Sequence, residues 1–80
     1  MLRAKKNGKE ILFDWLLRNG WNWERYGHFR KGNYRMKLQV NSVREEYRNA
    51  LGEWRRTRSG NYSKLTVDEN DQLVGLSKNI

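Results

Sequence analysis

Eighty residues with 17 Lys and Arg against 9 Asp and Glu, a formal charge of +8, make one small basic domain over 1–80 with a limited core. With no Cys, one His and no Pro, the chain has no disulfide framework and no thiolate or His-rich metal site, so metal ligands and cofactors are not expected; its turns must rest on Gly, Asn and Asp. No apolar run reaches bilayer length and no secretory pattern stands out, so the expected setting is the cytoplasm and the expected partner a polyanion or an acidic protein face, not a membrane.

Residues 1–6, MLRAKK, read as a loose basic arm. Asn7 and Glu10 then stand in capping-box spacing, and Ile11, Leu12, Trp15 and Leu16 share one helical face that Phe13 and Leu17 widen. Asn19-Gly20 stops the pattern, because Gly takes the left-handed conformation that ends a helix. These signals predict a helix over about 8–18.

Residues 21–31 read as a strand or a strand pair broken at Gly27, and Gly32-Asn33 as a turn. Tyr34, Met36, Leu38 and Val40 alternate with Arg35, Lys37 and Gln39, the period of a half-buried strand with a basic outer face.

Two readings stand for 42–58. As a helix, Ser42 and Glu45 form a second capping box, and Val43, Tyr47, Ala50, Leu51 and Trp54 fall on one face despite Gly52. As a hairpin turning over Asn49 to Gly52, Arg48 faces Glu53, Tyr47 faces Trp54, Glu46 faces Arg55 and Glu45 faces Arg56. The longer apolar stripe favours the helix. Residues 62–67 and 72–76 read as two strands joined by Asp68-Glu69-Asn70-Asp71, a solvated turn with Asn70 suited to positive φ. The fold class is therefore α+β: an N-terminal helix packed on a small antiparallel sheet, a second helix or hairpin at 42–58, and a C-terminal hairpin at 62–76.

Function concentrates between Trp21 and Lys37, where aromatics and cations alternate; no Asp or Glu occurs between Arg25 and Arg44. Flat rings can stack on bases while cations neutralise phosphates. The expectation is a basic nucleic-acid-binding protein, favouring RNA or single strands. Arg25, Arg30, Lys31, Arg35 and Lys37 would contact phosphates, and Trp23, Tyr26, Phe29 and Tyr34 would stack. Trp15, Trp21 and Trp54 are assigned to the core. The predicted helix is too apolar to act as a major-groove reader.

His28 is the one imidazole and lies among these cations, which disfavour its charged form and leave a neutral base near pH 7. Glu24, four residues before it, shares its strand face unless a bulge intervenes. Metal-independent RNA cleavage needs little more than a proton acceptor, a donor and cations for the phosphate. The run from Lys9 to Val40, with Gly20-Trp21, Tyr26-Gly27-His28-Phe29 and Tyr34 to Val40 as its matching pieces, resembles the HicA-type toxins, small basic mRNA endoribonucleases. That resemblance implies an α-β-β-β-α fold like a double-stranded-RNA-binding domain, with His28 as the catalytic residue. A third reading is a phage- or plasmid-encoded adaptor or inhibitor that binds a protein, since Trp, Tyr and Arg are the residues enriched at binding hot spots.

Overall fold

The computed structural model describes residues 7–78; the basic arm read at 1–6 lies outside them. The first helix, α1 (Gly8–Arg18), starts where the capping signal places it, with the Asn7 carboxamide oxygen accepting from the Glu10 N–H at 2.9 Å. It ends as the Asn19 N–H turns back to the Trp15 and Leu16 carbonyls, and Gly20 follows at φ +79°. Leu12, Trp15 and Leu16 are buried, whereas Phe13 and Leu17 remain largely exposed. Only the narrow stripe of the predicted apolar face enters the core.

Five strands then run as successive antiparallel neighbours: β1 (Asn22–Arg25), β2 (His28–Lys31), β3 (Tyr34–Leu38), β4 (Ser42–Arg48) and β5 (Trp54–Asn61). The pair read at 21–31 breaks where expected, with Gly27 at φ +75° in the β1–β2 turn; an L side chain there would be strained. The strand read to Val40 stops at Leu38, and Val40 is exposed in the following loop.

The segment 42–58 is a hairpin, so the helix reading and the second helix of the α-β-β-β-α pattern are corrected. Two local features decide it. Asn49 closes the turn by accepting from the Leu51 and Glu53 N–H groups, both at 3.0 Å, with Gly52 at φ +81°. Val43 and Glu45 are both buried at strand period, because Arg58 chelates the Glu45 carboxylate through two contacts of 2.9 Å and the Thr57 hydroxyl donates to it at 2.7 Å. Of the helical stripe Val43 alone is buried, and Leu51 is 82% exposed. The register also differs from the hairpin reading, with Arg48 opposite Trp54, Tyr47 opposite Arg55 and Glu46 opposite Arg56. A bulge next to Glu45 then brings that residue opposite Arg58.

The chain leaves β5 through a 3-10 turn, Tyr62–Lys64, which packs under the start of α1. A Cβ on Gly8 would run into the Tyr62 carbonyl, so glycine permits this approach. The C-terminal hairpin forms in short version, β6 (Thr66–Val67) with β7 (Leu73–Val74), and β8 (Ser77–Lys78) returns to the free side of β5. Its loop is the expected turn, but Asp71, not Asn70, has positive φ, at 59°. Asp71 ties the loop to α1: its carbonyl accepts from the Trp15 indole at 2.7 Å, and its carboxylate pairs with Arg18 at 2.7 Å. The core lies between α1, one face of the sheet and this C-terminal segment, and contains Phe29, Met36, Val43, Tyr62, Leu65 and Leu73 beside the helix residues.

Candidate nucleic-acid interface

Strand alternation sorts the basic-aromatic stretch onto two faces. Trp23, Phe29, Tyr34 and Met36 take the helix side; His28, Arg30, Arg35 and Lys37 take the other. The pairing extends this second face across the sheet in two rows. One row runs Arg25, His28, Lys37, Arg44, Ser59, and the other Asn22, Arg30, Arg35, Glu46, Arg56, with Arg48 and Trp54 paired beyond them. Among the described residues no helix or further sheet packs over this face.

The two rows differ in how their cations are held. Arg30 and Arg35 are tied down. Arg30 pairs with Glu24 at 3.1 Å and Arg35 with Glu46 at 2.7 Å, and their guanidiniums stand 5.0 and 4.0 Å from the Trp54 ring centroid. Arg35 keeps only 17% of its side chain exposed. The row from Arg25 through His28 and Lys37 to Arg44 contains no carboxylate; Arg44 reaches Glu46 only at 3.9 Å. Lys37 stands directly opposite Arg44, and like charges so placed weaken a sheet, a cost that an anion lying on the row would relieve. Beside it, Ser42, Arg44, Arg56, Ser59 and Asn61 line a polar recess of about 240 Å³.

His28 sits inside the row. Burial holds its imidazole below the ordinary value, and Arg25, Lys37 and Arg35 push it further down; Glu24 opposes them weakly. Its Nδ1 is buried without a hydrogen-bond partner among the described residues. The expected Glu24–His28 pairing is interrupted by the bulge between Trp23 and Arg25, which sets Arg25 opposite His28 and leaves Glu24 to Arg30.

Several expected site residues fall elsewhere. Phe29 is 1% exposed, edge-on to Phe13 at 5.4 Å, and cannot stack on a base. Lys31 points to the helix side and donates to the Asn19 carbonyl at 2.6 Å, a cation set at the C-terminal end of α1. Tyr34 also lies on that side, 5.0 Å from Tyr47. Trp23 and Tyr26 are exposed, at 63% and 92%, but by the β1 edge and the β1–β2 turn rather than among the cations. Trp54, assigned to the core, instead stands on the open face beside Arg30 and Arg35. Arg44, Arg48 and Arg56 complete that face; the expected hairpin register, with Arg48 opposite Glu53 and Arg56 opposite Glu45, sets Arg48 and Arg56 on different faces and does not bring them together.

No group of His, Cys, Asp or Glu among the described residues could hold a metal ion. No described helix is long and apolar enough to cross a membrane. Comparison of the chain with protein-family models, with curated proteins and with solved structures finds no match.

Proposed function

We propose that this protein binds nucleic acid, single strands in preference to duplex, through the open cationic face of its sheet. The observation that supports this most is the row Arg25, His28, Lys37, Arg44: four neighbouring strands present a basic or imidazole group side by side with no carboxylate between them. Phosphate contacts of this kind supply sequence-independent affinity. Arg25, Lys37, Arg44, Arg48 and Arg56 carry the contacts, while Arg30 and Arg35 hold Trp54 in place. The preference for single strands rests on the helix: α1 spends its apolar stripe on the core, so among the described residues no helix is free to read a major groove. A binding titration against single-stranded RNA and duplex DNA of equal charge tests the reading. Tighter binding to the single strand, weakening steeply with salt, is expected; no binding at low salt removes it.

A second reading, a ribonuclease of the kind the HicA resemblance implies, is favoured by one observation. His28 is kept neutral in the middle of the cationic row, where it would meet the 2′-hydroxyl of a bound RNA as a general base. His28→Ala should then abolish cleavage of RNA and leave binding nearly intact. Cleavage that survives in the variant removes this reading without touching the first.

A further inference from the structure

Trp23 and Tyr26, both expected to stack on bases, are not on the cationic face, yet they wall one recess. It has a volume of about 280 Å³ and opens at the end of the sheet where β1 turns into β2. Phe13, Phe29, Lys9 and Gln39 also line it. No carboxylate lines it. The Oε1 of Gln39 accepts from the Ser42 hydroxyl at 3.1 Å, and its carboxamide keeps an NH₂ donor and a second oxygen lone pair to offer. Two large rings are thus left exposed around a mainly apolar hollow, with Lys9, Gln39 and the rings' own polar tips to meet the edge of a guest.

The recess adjoins the cationic row. Tyr26-Gly27 is the turn between Arg25 and His28, and Leu38, another lining residue, follows Lys37, which pairs with His28. The recess is on the helix side, so a backbone lying on Arg25 and Lys37 reaches it by rounding the β1–β2 turn at the end of the sheet.

We propose that this recess receives one unpaired base of the bound strand, stacked against Trp23 and Tyr26, while the adjoining phosphates lie on Arg25 and Lys37. The proposal rests on the nucleic-acid reading above and adds a base-dependent subsite to its charge-dependent face. Both rings are exposed and Gly27 sets the turn, so the slot is present before the strand arrives. Stacking of this kind is tolerant of sequence, because every base has a π-face.

The test compares oligouridylate with an abasic phosphodiester of the same length, titrated into the full chain at fixed salt. Oligouridylate should bind more tightly. Trp23→Ala and Tyr26→Ala should each remove about tenfold of that advantage, leaving the abasic polymer's affinity and both salt dependences unchanged. Trp23→Phe should restore most of it. Both side chains are exposed, so the alanine variants keep their fold, which a circular dichroism melt verifies. Equal binding of the two polymers, or an advantage that survives both alanine variants, overturns the base slot while the cationic face stands. Binding of neither polymer overturns both.

Discussion

The two faces of the sheet are built from the same strands and the same stretch of sequence, yet they are held by different physics. The helix side buries Phe29, Met36 and Val43 under α1, and even its carboxylate, Glu45, is enclosed by Arg58 and Thr57. The opposite side sets Lys37 directly against Arg44 and Arg30 against Arg35, with two acids, Glu24 and Glu46, to offset its cations. One side holds the fold together, and the other is the side proposed to meet an anion. Stability and binding should therefore separate on substitution.

The largest separation is expected at Phe29. Phe29→Ala should cost about 3–5 kcal/mol of stability in a denaturant titration, because the ring is buried in the core and its loss leaves a cavity there. Next comes a pair of arginines on one strand. Arg58→Gln leaves Glu45 buried with only Thr57 as a side-chain donor and should cost about 2–3 kcal/mol. Arg56→Gln, two positions away on the open face, should change stability by less than about 0.5 kcal/mol. If the two variants lose equal stability, the faces are not distinct in the way described.

The comparison also explains what the sequence discloses and what it hides. The helix was legible because Asn7, the Leu12-Trp15-Leu16 stripe and Gly20 agree on one answer, and the β1–β2 break was legible because Gly27 interrupts the pattern. The hairpin at 42–58 was obscured because Glu45 counts as a surface residue until Arg58 is known to enclose it. Leu51, in turn, counts as core although it projects from a turn. The candidate site was misread in a related way. Aromatics and cations interleaved along a chain look like one mixed surface, but a period of two sends them to opposite faces. Phe29 therefore went to the core and Lys31 to the helix terminus, while Trp54 joined the cations.

A smaller effect on stability, with a larger one on binding, is expected from Arg25→Gln, Lys37→Gln and Arg44→Gln combined. Removing like charges from adjacent strands should raise the melting midpoint slightly or leave it unchanged. Affinity for single-stranded RNA should fall at least about tenfold at low salt.

The smallest effect is that of pH. The His28 pKa is depressed in the folded state, so the unfolded chain binds the extra proton first. Stability is whole above the ordinary value of 6.5 and is lost as pH falls through the lower folded value. Phosphates on the row should oppose its cations and raise the pKa, so binding should strengthen as pH drops towards that range. Imidazole chemical shifts, followed against pH with and without RNA, should show the titration moving upward on binding. His28→Gln should remove the pH dependence of affinity.

The most direct test of the cationic face is the salt dependence of RNA binding for the unmodified chain and for the variant with Arg25, Lys37 and Arg44 replaced by Gln. Each phosphate-contacting cation contributes about 0.7 to the slope of log affinity against log salt for a single strand, so the variant's slope should be shallower by about 2. A slope identical in the two proteins would place the phosphates elsewhere and contradict the account.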